Sequence, residues 1–206
     1  MKVKEILETM DYGKAPESPA IAKNWIEKNE ARFGLFIDGN FQFPEDREYF
    51  ETKNPANGEV LASICQAQIQ DVDKAMHSAR ISQSKWENIG GAARAKYLYA
   101  LARLMQKHSR LFSVIETLDN GKPIRESRDI DIPLVIRHFY FHAGAAQIMD
   151  NEMPDQRAYG VVAQVIPWNF PLLMMAWKIA PALAMGNTVV IKPAEYTSLS
   201  ALLFAE

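Results

Sequence analysis

The sequence predicts an α/β fold, and three observations carry that reading. Gly160 to Ile166 is a nearly continuous apolar run rich in β-branched residues, and Thr188 to Ile191 is a second. Between them Pro171 suits the first turn of a helix, which runs through Lys178 to Met185 and stops at Gly186. Strand, helix and strand within about 35 residues make a βαβ unit, which implies a right-handed crossover between parallel strands. Runs without polar alternation mark strands that need cover on both faces, and the chain is expected to leave part of that need unmet, with an open strand edge and an exposed apolar patch.

The elements ahead of this unit follow from local signals. Val3, Ile6, Leu7 and Met10 recur at helical spacing, so Met1 to Met10 reads as a short amphipathic helix; no apolar stretch follows that would make it a signal peptide. Residues 1–33 are polar, broken by Pro16 and Pro19, and read as an extension ahead of the main fold. Leu35–Ile37, Tyr49–Lys53 and Glu59–Ile64 are strand-like, separated by Asp38-Gly39-Asn40 and by Asn54-Pro55-Ala56-Asn57-Gly58, whose Asn and Gly tolerate tight turns. Asp71 is placed to cap a helix with Val72, Ala75, Met76 and Ala79 on one face. Leu98, Leu101, Ala102 and Met105 form the apolar stripe of the next helix. Asp119 to Pro123 is a turn, the charged stretch Arg125–Asp131 reads as solvated surface, and Pro133 opens a helix to about Met149.

Composition excludes some function classes. The 206 residues carry a net charge of −2, with no Lys/Arg block able to track a phosphate backbone, so no nucleic-acid partner is expected. The longest apolar run, Phe170–Trp177, is broken by Pro171 and closed by Lys178, far short of a membrane span. One cysteine, Cys65, forms no internal disulfide, which fits a reducing compartment and a cytoplasmic location.

In open α/β sheets, ligands bind beyond the carboxyl ends of the strands. The first such end here is Pro167-Trp168-Asn169-Phe170-Pro171, which lacks the glycines of a G-x-G-x-x-G turn. The second is Lys192-Pro193-Ala194-Glu195, where a carboxylate suits hydrogen bonds from adenosine ribose hydroxyls and Lys192 could donate to the same sugar. On the pattern alone, a solvated strand exit is the more usual explanation of the same pair. His138 and His142 stand four apart on a helix, but nothing completes a tetrahedral zinc site, and no metal is assigned.

Longer matches decide between these readings. Gly160 to Glu195, with Pro167–Pro171, Trp177–Ala184 and Gly186–Glu195, is similar to the aldehyde dehydrogenase superfamily almost residue for residue. Asn54–Glu59, Asp71-Val72-Asp73 and Glu116–Pro123 match the same family in the same order, so the resemblance covers about residues 34–206. Asp11-Tyr12-Gly13 and Ala15–Ser18 further resemble a long subgroup that carries a second, degenerate dehydrogenase-like module.

The resemblance implies an incomplete Rossmann-like cofactor-binding domain over residues 34–206, with the catalytic domain absent and residues 1–33 as a helical extension. It implies oxidation of a small-molecule aldehyde to a carboxylic acid with NAD, in a parent protein that is a homo-oligomer. Asn169 corresponds to the residue whose amide donates to the oxyanion, a role that a neutral donor at a helix start suits; a helix cap is the structural alternative. Ile166, Pro167 and Trp168 correspond to positions along the cofactor, and Lys192 and Glu195 to its ribose contacts, with Glu195 favouring NAD over NADP. Thr52 and Asp119 correspond to a monovalent-cation position in some relatives, though turn capping accounts for both.

The family's nucleophilic cysteine, general-base glutamate and glycine-rich phosphate segment have no counterpart in the 206 residues, so the chain alone is expected to be inactive. Cys65, among Leu61, Ala62 and Ile64, reads as a small buried hydrophobe with no cation nearby to lower its pKa. Asn151–Arg157 is shorter than the hairpin of most relatives, a segment tied to their oligomer contacts. The rival function is a non-catalytic module that docks on another dehydrogenase chain.

Overall fold

The computed structural model describes residues 17–206. The helix expected over Met1–Met10 and the segment Asp11–Pro16 lie outside the described residues. Helix α1 (Ala20–Lys28) follows Pro19, with Ser18 Oγ accepting from the Ala20 N–H at 3.2 Å. This helix belongs to the extension foreseen over residues 1–33, yet it buries Ala22, Trp25 and Ile26 in the same core as the rest of the chain. Trp25 stacks on Phe33, and its indole N–H donates to Glu206 at 2.7 Å, tying the two ends of the described chain together.

Two small sheets follow. β2 (Leu35–Ile37) and β3 (Asn40–Gln42) form a hairpin closed by Asp38 and Gly39, both with positive φ. Two positive-φ residues in a two-residue loop make a turn whose twist matches the strands. β4 (Tyr49–Lys53) and β5 (Val60–Cys65) pair antiparallel, and β1 (Arg32–Phe33) adds to β5 in parallel. β1 and β3 are too short to leave a periodic signal, and neither was anticipated.

The helical layer comprises α2 (Ile69–Asn88), α3 (Gly91–Lys107), α4 (Ser109–Asn120), a short α5 (Ile124–Glu126), a π-helical turn (Ser127–Asp131) and α6 (Ile132–Glu152). Asp71 does not cap α2 as anticipated. The N-cap is Gln68, whose N–H donates to Asp71 Oδ2 at 2.9 Å, so Asp71 is the returning half of a capping box. Arg47 Nε reaches the same oxygen at 2.7 Å. The face of α2 is also shallower than its pattern implied: Val72 is exposed, and Ala75, Met76 and Ala79 are half-buried.

α3 and α6 make the most extensive helix pair. Ala95, Leu98 and Ala102 of α3 and Val135, Phe139, Ala143 and Ala146 of α6 are all buried in one cluster. Contact is closest at Gly91, where a Cβ would stand 2.1 Å from the Ala146 carbonyl oxygen. The stretch Arg125–Asp131 departs from the expected solvated surface. Ser127 and Asp131 are buried, and Asp131 is ion-paired with Lys122.

The βαβ unit closes the fold: β6 (Val161–Val165), α7 (Pro171–Ala184), β7 (Thr188–Lys192), then α8 (Leu199–Ala205). β6 and β7 pair in parallel from Val161↔Thr188 to Val165↔Lys192, as the spacing required. Gln164 Nε2 donates to the Lys178 carbonyl at 3.0 Å, docking β6 on α7. Cover on the second face is partial. α2 packs on both strands, with Thr188 Oγ1 donating to the Ala79 carbonyl at 2.9 Å. Gln164 and Ile166 are buried, but Ala163 is exposed and Val165 is 67% exposed.

Candidate active site

Parallel pairing brings the two strand exits side by side. The Ile166 N–H donates to the Lys192 carbonyl at 3.0 Å, one step beyond the last ladder pair. Ile166 is buried, Pro167 is half-buried, and Trp168 and Asn169 open to solvent. At the second exit Lys192 Nζ donates to Glu195 Oε2 at 2.9 Å, and more than half of each side chain is exposed. This hydrogen bond, with the charge behind it, holds the Glu195 carboxyl below its ordinary range, so it is anionic at neutral pH.

Asn169 precedes the N-cap of α7, which is Phe170. Its amide takes no hydrogen-bond partner among the described residues, so the helix-cap alternative is not realised.

The loop around Asn169 is held by the segment Glu116–Lys122, which matches the family pattern but carries no local sign of this role. Asn120 Nδ2 donates to the Trp168 carbonyl at 2.5 Å. Lys122 Nζ stands 3.6 Å over the Phe170 ring. The Leu172 N–H donates to Glu116 Oε1 at 3.2 Å. Glu116 is fully buried, and that burial lifts its carboxyl to about 7 even though the neighbouring Ser200 hydroxyl and the Leu172 N–H favour its charged form. Nothing local in Glu116–Lys122 announces these contacts, since their partners lie about 50 residues further on.

Asp119 is likewise committed. Thr52 Oγ1 donates to Oδ1 at 2.7 Å, the Leu199 N–H donates to Oδ2 at 2.8 Å, and burial raises the carboxyl to about 6. The pair foreseen as a cation position thus joins β4, α4 and the start of α8, with both carboxylate oxygens occupied. His138 and His142 stack with centroids 6.1 Å apart, and no cluster of three potential metal ligands occurs among the described residues.

Cys65 is 4% exposed in β5. Contrary to expectation, Arg47 and Arg32 lie near enough to favour its thiolate, but burial outweighs them and the thiol is pushed up. No helix among the described residues is long and apolar enough to cross a membrane.

The family model "Aldehyde dehydrogenase family" matches residues 42–206, most of the chain. The chain belongs to the aldehyde dehydrogenase family. Among curated relatives, the chain is 47% identical over 184 residues to DhaS of Bacillus subtilis (strain 168), an alignment covering 84% of this chain and 37% of that protein. It is 40% identical over 189 residues to aldehyde dehydrogenase B of Escherichia coli (strain K12), covering 87% and 37%. Among solved structures it resembles an aldehyde dehydrogenase from Bacillus cereus in complex with NAD+, with TM-score 0.80 and 37% identity over 95% of this chain and 41% of that one. The chain therefore spans a little over a third of its relatives' length and forms a partial aldehyde dehydrogenase domain of mixed α/β architecture.

Proposed function

We propose that these residues form the part of an NAD-dependent aldehyde dehydrogenase that presents the oxyanion donor and the adenosine-ribose contacts, and that the whole protein oxidises an aldehyde to a carboxylic acid. One observation carries the reading: the Ile166–Lys192 bond sets the Asn169 loop beside the Lys192–Glu195 pair at the carboxyl edge of a parallel sheet. That edge is where open α/β sheets bind ligands.

The residues present fit a dinucleotide. Glu195 is an exposed, ionised acceptor and Lys192 an exposed donor, the complement of a ribose diol. The same charge opposes a 2′-phosphate, which favours NAD over NADP. Ile166, Pro167 and Trp168 lie along the first exit as an apolar wall for the cofactor. When bound, NAD supplies the hydride acceptor. Asn169 offers an amide with no competing partner, aimed at charge that develops on the aldehyde oxygen, and its neutrality leaves a nearby thiolate reactive.

Cys65 is buried, and its thiol is harder to ionise than a free one, so the 206 residues do not turn over by themselves. Its reduced state fits a cytoplasmic protein, and the whole protein is a homo-oligomer.

The test is a graft. Residues 17–206 replace the matching stretch of the Bacillus cereus enzyme, and NADH formation is followed with a panel of aldehydes. Asn169→Ala should lower turnover by about 10²–10³-fold with the NAD dissociation constant nearly unchanged. A folded graft whose turnover survives Asn169→Ala refutes the assignment.

A further inference from the structure

Asn169 receives no hydrogen bond that orients its side chain, so its place is set by the backbone on either side. The chain on either side is held at three points, two on its backbone and one on a side-chain ring, all by residues of one short segment. Asn120 holds the carbonyl of the residue before Asn169, Lys122 covers the ring of the residue after it, and Glu116 accepts from the N–H of Leu172.

The gripping segment is itself fixed. Lys122 is paired with Asp131, which is 1% exposed in the π-helical turn. Gly121 ends α4 with φ 84°, and a Cβ there would meet Pro55 Cγ at 2.6 Å. The left-handed residue turns the chain so that Asn120 and Lys122 both face the loop, and Pro55 leaves no room for another side chain.

We propose that Asn120, Lys122 and Glu116 are positioning residues for Asn169, a clamp from the end of α4 that holds its amide where the oxyanion forms. This rests on the reading of Asn169 as the oxyanion donor. The physical reason is geometric: an amide donor stabilises the developing charge only within hydrogen-bonding reach, and a misplacement of about 1 Å can cost about 10²-fold in rate. The contacts also divide the work. Asn120 and Lys122, both half-buried, hold the loop itself, and the fully buried Glu116 holds the first turn of α7.

Asn120→Ala is the discriminating variant, because alanine suits a helix end and should leave global stability intact. Amide exchange is followed by NMR in the 206-residue chain, at a concentration where light scattering shows a single species, at Leu172 and at Met174, whose N–H donates to the Phe170 carbonyl at 2.8 Å. Both should exchange roughly five- to tenfold faster, with Val189–Ile191 and the melting temperature unchanged. Asn120→Asp keeps the shape, loses the donor, and should do the same. In the graft, Asn120→Ala should lower kcat by about ten- to a hundredfold with aldehyde KM and NAD affinity held. Lys122→Arg, which keeps a cation over Phe170 and toward Asp131, should stay near the parent. Unchanged exchange in both Asn120 variants overturns the proposal, as does uniform loss of protection with a lower melting temperature. If Asn169→Ala leaves turnover intact, the oxyanion reading fails, and the exchange result still decides whether the clamp exists.

Discussion

Glu116 offers a direct test of the buried charge on α4. It is 1% exposed, with Oε1 on the Leu172 N–H and Oε2 without a hydrogen-bond partner. Burial raises its carboxyl from 4.5 to about 7, opposed by Ser200, Leu172 and the charge of Lys122. Because the folded-state value lies above the unfolded one, the folded chain holds the extra proton between about pH 4.5 and about pH 7. The stability tied to this proton is therefore complete below the window and lost as pH rises through it. At 1.36 kcal/mol per unit, the loss by pH ~8 is about 3 kcal/mol. Glu116→Gln keeps an acceptor for Leu172, mimics the protonated acid and cannot ionise. The assay is urea unfolding of both proteins at several pH values, at a concentration where light scattering shows a single species. The difference should be near zero at about pH 4.5 and grow to about 3 kcal/mol in favour of the variant at about pH 8. Asp119 shifts in the same direction in both proteins and cancels. A difference that stays flat with pH, or grows in favour of the parent, refutes the argument.

Gly91→Ala should lower stability by about 1–3 kcal/mol in the same unfolding assay, since its Cβ would meet the Ala146 carbonyl oxygen at 2.1 Å and force α3 from α6. An unchanged midpoint would mean the helix pair can shift freely. Cys65 should react with iodoacetamide far more slowly in the folded chain than after unfolding in urea, because it is buried and its thiol is raised; equal rates would contradict that. Phe141 (70% exposed), Val165 (67%) and Trp168 (60%) leave apolar surface open, so the chain should bind a hydrophobic dye and associate as concentration rises. A dye-silent monomer would count against this.

Much of the site was legible in the sequence because its signals are local. Pro167 and Pro171 bracket the first exit, Pro193 ends the second, and the apolar runs before them identify the strands. Asn169 emerged through its match to a family pattern, and the fold then left its amide free of the helix it precedes. Glu116, Asn120 and Lys122 were visible only as part of a matching segment. Their partners Leu172, Trp168 and Phe170 are separated from them by about 50 residues, and no periodicity reports such pairings.

The sequence by itself determined the βαβ unit, its parallel pairing and the helices α2, α3 and α6, because strand and helix periods and proline and glycine breaks act within a few residues, whereas α4, which runs into the expected turn at Asp119, was not read. Only the tertiary structure decided which charged groups are buried. Asp131 reads as one of a row of surface charges, yet it packs inside against Lys122. Asp71 reads as a cap, yet the chain before it supplies the N-cap and Arg47 comes from 24 residues away to share its carboxylate. Asp119 reads as a turn residue, yet α8 brings the Leu199 N–H to it from 80 residues away. A carboxylate is buried only where distant donors satisfy it, and those donors are placed by packing rather than by the residues beside it.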